Sequence, residues 1–367
     1  GFAIPQGTIR KGARCSTAKA FLLPPKFREN LHVLTFAYVT KILFNEEKRA
    51  IGVEFDRFSL SHSVYVRREV ILSAGSINSP QLLMLSGVGP AEHLRRMKIP
   101  IVANLPVGKN LQDHIYSGVH FYLNETGLSL DQRRIVSPQN LMKYFTLGRG
   151  PLTILDGVEG LGFIKTKYAN LSDDYPDVQI HMLTGELSSD DGQAFRRVQG
   201  ATKKLEEEYF DTPDFTPVAR ILQPKSRGRI ILRMGISRGR TQGISRELLE
   251  QYYLPFANYD TFSLYPVLLR PKSRGFIKLR STSPYDPPII DPKYLTHPDD
   301  ILAMVDAMKI SIAVGLTPAY RKFGSRLFER GIPGCERYPI LSDEYLACQA
   351  RTYTQTIYDP VGTCRMG

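Results

Sequence analysis

The stretch Glu69-Val-Ile-Leu-Ser-Ala-Gly-Ser-Ile-Asn-Ser-Pro-Gln-Leu-Leu-Met-Leu-Ser-Gly limits what this chain can fold into more than any other. A short apolar run stops at three small residues. Polar residues and Pro80 then open a second apolar run, which closes at Gly87. The order reads as strand, tight turn and helix, with Pro80 at the helix start and Gly87 at its end. In α/β proteins such a turn lets a ligand approach the backbone, and the helix's positive N-terminal end stabilises an anionic group such as a pyrophosphate. A purely structural turn uses the same residues, so the spacing leaves both readings open.

Other segments extend the α/β pattern. Residues 31–44 read as a β-rich strand, Asn45 to Lys48 as a polar turn, and Ala50 to Phe55 as the partner strand of a hairpin. Residues 114–182 alternate polar and apolar, as an antiparallel sheet of a second domain does, with the acidic loop Asp173 to Asp177 as a solvated turn. Residues 299–315 begin with two aspartates, carry apolar residues at helical spacing and end at Gly315, which predicts a helix with its methionines in the core. A length of 367 residues suits two domains or one two-part α/β enzyme.

Composition removes several function classes. The net charge of +12 comes from 48 basic and 36 acidic residues, with the excess mostly N-terminal, but acidic residues punctuate every stretch. No concentrated basic patch of the kind that binds nucleic acid is present, and an anionic cofactor or substrate is a milder use of the excess. No run of apolar residues is long enough for a membrane span, and Gly1 to Ala20 lacks the apolar core of a signal peptide. Cys15, Cys335, Cys348 and Cys364 lack metal-ligand spacing, so no metal site is expected and one disulfide at most. The sequons at Asn124 and Asn170 lean towards secretion. A start at Gly1 and an end in mid-motif at Gly367 suggest a fragment of a longer protein.

Part of the chain is duplicated. Residues 199–233 resemble 242–280, and Pro224-Lys-Ser-Arg-Gly-Arg-Ile-Ile-Leu-Arg matches Pro271-Lys-Ser-Arg-Gly-Phe-Ile-Lys-Leu-Arg at eight of ten positions. Two copies are too few for a solenoid. One of the two copies is expected to be surplus.

Gly75-Ser-Ile-Asn-Ser-Pro-Gln-Leu-Leu-Met-Leu-Ser-Gly-Val-Gly closely resembles the second signature of the glucose-methanol-choline (GMC) oxidoreductases. Leu105-Pro-Val-Gly-Lys-Asn-Leu-Gln-Asp-His, Gly12-Ala-Arg-Cys-Ser-Thr-Ala-Lys-Ala-Phe-Leu and the Pro-Lys-Ser-Arg-Gly opening support the match, which is nearest to insect glucose-dehydrogenase-like members. The resemblance implies an α/β fold: a Rossmann-like FAD-binding domain, here partial, interleaved with an antiparallel-sheet substrate-binding domain. It divides the chain into residues 1–113 of the FAD domain, 114–267 of the substrate domain, and a truncated C-terminal region from 268 to 367. It also implies FAD as cofactor and a small alcohol or sugar as substrate, and leaves the electron acceptor open. By the same resemblance the backbone of Val39 contacts the adenine side, and Ala74, Gly75 and Ser76 lie close to the pyrophosphate. No GxGxxG fingerprint occurs in these residues, so it is expected to precede them.

Thr356-Ile-Tyr-Asp-Pro-Val-Gly-Thr-Cys-Arg-Met-Gly resembles the family's active-site segment, in which a His sits beside the flavin and takes the hydroxyl proton while hydride passes to the flavin. Here that position is Asp359. A carboxylate is roughly two pKa units weaker as a base than an imidazole, so the resemblance implies a compromised oxidoreductase acting on CH–OH groups. The alternatives are a non-catalytic flavin-fold homologue with a binding role and the product of a defective gene model. Tyr358 is expected in the substrate-pocket wall and Cys364 in a structural role. No His follows His297, so no local replacement base is expected, and the family's second catalytic His or Asn would lie beyond Gly367.

Overall fold

A strand persists only where a neighbour takes its ladder hydrogen bonds, so the apolar patterns sort themselves by whether they find partners. The computed structural model describes residues 1–23, 28–130, 132–155, 157–184, 248–256 and 259–366. The first copy of the duplicated segment and the start of the second lie outside these residues. In chain order the main elements are strands β1 (Tyr38–Phe44), β2 (Ala50–Arg57) and β3 (Leu60–Tyr65), helix α1 (Gly75–Leu85), strands β4 (Lys109–Leu111) and β5 (Val119–Leu123), helix α2 (Pro138–Leu147), strands β6 (Val158–Ile164), β7 (Val178–Thr184), β8 (Asp260–Leu268), β9 (Gly275–Lys278) and β10 (Ile289–Asp291), and helices α3 (Pro298–Gly315) and α4 (Asp343–Tyr353). Unit 1 takes Gly1–Arg14, Tyr116–Leu269 and Ile301–Gln355. Unit 2 takes Cys15–Ile115, Arg270–Asp300 and Thr356–Gly367.

Unit 1 is built on an antiparallel sheet in which β6, β7, β8 and β5 are successive neighbours. All nine residues of β8 are buried, which fits a strand covered on both faces. Phe121 of β5 stacks on Phe262 of β8 at 4.7 Å, and Met304 and Met308 of α3 are fully buried. Each such side chain contributes about 1.5–3 kcal/mol on burial. Gly315 ends α3 against Phe121, where a Cβ would lie 2.2 Å from the ring.

The alternation across residues 114–182 gives strands at β5, β6 and β7, but α2 intervenes. Its start and stop chemistry outweighs the alternation: Ser137 caps it by accepting from the Asn140 N–H at 3.4 Å, Pro138 occupies the first turn, and Gly148 closes it at φ +62°. The acidic loop is more than a solvated turn, because Asp177 accepts from the Thr166 N–H at 2.8 Å and its hydroxyl at 2.6 Å. One disulfide forms, Cys335 to Cys348 of α4, with Cα atoms 5.9 Å apart.

In unit 2 the expected hairpin is present as β1 and β2, extended by β3. Residues 31–37 and the run 69–73 are not strands; they have the right side chains but no ladder partner among the described residues. Helix α1 begins at Gly75, five residues before Pro80, so the proline lies inside the helix and not at its start. The core joins Met84, Val88, Leu94, Val107, Leu111, Ile277 and Leu279 over a small sheet ordered β10, β9, β4. Ser86 ties the end of α1 to β1, accepting from the Ile42 N–H at 2.8 Å.

The second Pro-Lys-Ser-Arg-Gly segment therefore enters unit 2 as β9. Asp300, 2% exposed, holds its approach. The carboxylate accepts from the Lys272 N–H at 2.7 Å, the Ser273 N–H at 2.8 Å and the Ser273 hydroxyl at 2.5 Å.

Candidate active site

Residues 105–114 form a cradle for the C-terminal Pro-Val-Gly-Thr. Gln112 and Val361 exchange backbone hydrogen bonds of 3.0 and 2.8 Å, and the Gly108 N–H donates to the Thr363 carbonyl at 2.8 Å. Asn110 donates from Nδ2 to the Gly362 carbonyl at 3.2 Å and is itself held by Arg274 at 3.1 Å. Gly362 has φ +89°, and a Cβ there would lie 2.5 Å from the Asn110 carbonyl. Gly362 is thus required by the close approach of two backbones.

Helix α1 holds the other side of the same segment. Pro80 has no N–H to give to the carbonyl of Ser76 one turn earlier. Thr363, 2% exposed, supplies the missing donor: its hydroxyl reaches the Ser76 carbonyl at 2.6 Å. The Ser76 hydroxyl in turn donates to the Pro360 carbonyl. A break in the helix ladder has become the dock for the C-terminal motif.

Asp113 organises the acidic end of the site. It is 7% exposed, and its carboxylate accepts from the Thr356 hydroxyl at 2.6 Å, the Asp359 N–H at 3.1 Å and the Tyr294 hydroxyl. Burial pushes this carboxyl above the usual carboxylate range, while the three hydrogen bonds pull it back down. Burial and the Asp113 charge raise the Tyr294 phenol. Tyr358, at φ +66°, is fixed by its N–H to the Thr356 hydroxyl at 2.8 Å. Burial, then the Asp113 charge, raises its phenol. The Asp359 side chain is 56% exposed and lies 3.4 Å from Nδ1 of His114, which is 34% exposed.

Unit 2 contains the candidate cofactor and catalytic residues Val39, Ala74, Gly75, Ser76, Tyr358 and Asp359. It joins Ser76 to Pro360, next to Asp359. Ala74 and Gly75 form the exposed start of α1, and Val39 lies on β1 opposite Phe55, 38% exposed and so not a core residue. Sequence reasoning missed Asp113, His114, Thr356 and Tyr294. His114 closes the Leu-Gln-Asp-His motif, but it is 245 positions from Asp359, and nothing local pairs them. Cys364 is exposed; the buried anchor of its motif is Thr363. Among the described residues, no group of three His, Cys, Asp or Glu side chains could hold a metal ion.

Family models described as GMC oxidoreductase match residues 1–116 and 271–367. The chain belongs to the GMC oxidoreductase family. The second match opens at Pro271, in the second copy of the duplicated segment. The family chain is 33% identical to glucose dehydrogenase [FAD, quinone] of Drosophila melanogaster, over 100% of its own length and 49% of the relative's. It is 32% identical to alcohol dehydrogenase [acceptor] of Pseudomonas putida, over 100% and 54%. A point variant of formate oxidase of Aspergillus oryzae superposes with a TM-score of 0.66 at 21% identity, over 98% of this chain and 55% of that one. The fold is accordingly the α/β FAD-binding fold of this family, and the chain spans about half the length of the curated relatives it matches. Its cofactor is FAD, and the start of α1 fits an anionic part of it. Gly75 sits at φ +83° with nothing within 4 Å of a Cβ position, no side chain caps the helix, and its first turn holds no acidic residue.

Proposed function

We propose that this chain is part of an FAD-dependent oxidoreductase that oxidises the CH–OH group of a small alcohol or sugar. The observation that carries the reading is the docking of Thr356 to Thr363 onto both the start of α1 and the 105–114 cradle. That docking holds the residues of the active-site motif in one unit with the helix end suited to the cofactor. Ala74, Gly75 and Ser76 would hold the pyrophosphate and the Val39 backbone the adenine side; bound FAD supplies the acceptor for a hydride. Tyr358, half-exposed at the motif, would form part of the substrate wall, and Asp359 stands where the family motif carries its base. In this reading residues 1–113 belong to the FAD domain, 114–267 to the substrate domain and 268–367 to the C-terminal region.

The disulfide and the exposed sequons at Asn124 and Asn170 support an extracellular location. Among the described residues, no helix is long and apolar enough to cross a membrane. The test is anaerobic bleaching of flavin absorbance in the flavin-loaded protein by a panel of primary alcohols, aldoses and polyols. Bleaching by at least one class, with the carbonyl product formed in equal amount, is expected. Stoichiometric bound flavin that no CH–OH donor bleaches would favour the second reading, a non-catalytic homologue, to which the open carboxylate at Asp359 lends support.

A further inference from the structure

We infer that His114, positioned by Asp359, is the proton acceptor of this site, replacing the imidazole that the family motif carries at position 359; the inference rests on the oxidoreductase reading above. Both partners rise from anchored backbone. The His114 carbonyl accepts from the Ile357 N–H at 3.1 Å, and the Asp359 N–H donates to Asp113 at 3.1 Å. This brings the Asp359 carboxylate to 3.4 Å from His114 Nδ1, its one polar side-chain contact among the described residues. A carboxylate facing Nδ1 favours the tautomer with its proton there, which turns the Nε2 lone pair outward as the base. Among the described residues Nε2 has no hydrogen-bond partner. Both side chains keep open surface, 34% and 56%, so a substrate hydroxyl can reach the ring.

The neighbouring titratable groups do not compete for the role. Asp113 is buried and already accepts three hydrogen bonds, and Tyr294 donates its proton to Asp113. Tyr358 is a phenol raised by burial, so it keeps its proton near neutral pH. In the reaction the hydroxyl proton moves to His114 Nε2 as the carbinol C–H bond breaks. Two electrons and that hydrogen would leave as hydride, with bound FAD supplying the oxidant, so that C–O becomes C=O. The imidazolium formed is stabilised by Asp359. One exchange thus divides the family His between two residues, a base from the cradle and a carboxylate from the motif.

Two measurements test this. Nitrogen-15 NMR of the His114 ring, assigned by loss of its signals in His114→Gln, reports which nitrogen carries the proton. The parent should show the Nδ1–H form, and Asp359→Asn should shift it towards Nε2–H. In the flavin-loaded protein, His114→Ala and His114→Gln should slow alcohol-driven flavin bleaching about 100-fold or more with the bound-flavin spectrum unchanged. Added imidazole should restore part of the rate in His114→Ala only. Bleaching in the parent that neither variant slows, or a ring tautomer indifferent to Asp359→Asn, overturns the inference and leaves the oxidoreductase reading intact. A parent whose flavin no alcohol or sugar bleaches overturns that reading and the base role together.

Discussion

Asp113 shows how one buried carboxyl can serve both stability and the site. Its raised folded-state titration means that the folded protein keeps a proton that the unfolded chain has already released. Stability from this group is therefore greatest below the ordinary carboxylate value, about 4, and is lost as pH rises through the higher folded value. Asp113→Asn removes the titration. Urea midpoints of the parent and Asp113→Asn, measured from pH 4 to 8, should give a parent-minus-variant difference that shrinks with rising pH and then levels off. A difference that grows instead would mean that the hydrogen bonds from Thr356, Tyr294 and the Asp359 N–H outweigh burial. Asp113 stands in the Leu-Gln-Asp-His motif, yet its burial cannot be read there. It follows from packing against Tyr294 and Thr356, 181 and 243 positions away.

At the scale of an element, α1 is the informative case. The helix end at Gly87 follows from helix-ending chemistry, but Pro80 misleads as the start, because a proline at position six normally costs a helix about 3 kcal/mol. The cost is offset here by a donor from another part of the chain: the Ser76 carbonyl, orphaned by Pro80, is taken by Thr363. Thr363→Val should destabilise the protein by about 1–3 kcal/mol, the penalty of a buried unsatisfied carbonyl. Pro80→Ala restores a local N–H for that carbonyl, so the double variant should be less destabilised than the two single effects added. A double-mutant cycle in urea tests this, and strict additivity would separate Pro80 from Thr363. The run 69–73 errs in the opposite sense, with strand-forming side chains but no neighbouring strand among the described residues.

For the whole molecule, the disulfide gives a separate test. Cys335 and Cys348 close a loop of 13 positions, and a loop of that size contributes about 3 kcal/mol by restricting the unfolded chain. Cys348→Ser, or mild reduction, should lower stability by about 2–4 kcal/mol in chemical denaturation, and the parent under reducing conditions should match the variant. A variant as stable as the oxidised parent would show that the bridge constrains little in the unfolded chain.

The sequence alone determined the family, the α/β class, the β1–β2 hairpin, α3 and the two motifs that meet in the site, because each rests on short-range pattern: periodicity, turn residues and contiguous signatures. Only the tertiary structure decided which residues complete the site. His114 faces Asp359, Thr363 serves Ser76, and Asp113 gathers Thr356 and Tyr294, all across separations of more than 180 positions. It also decided that α2 interrupts the alternating stretch and that residues 31–37 and 69–73 are not strands. Side-chain chemistry is local, but hydrogen-bond partners, burial and ladder neighbours are set by where the chain returns, and no spacing along the sequence encodes that return.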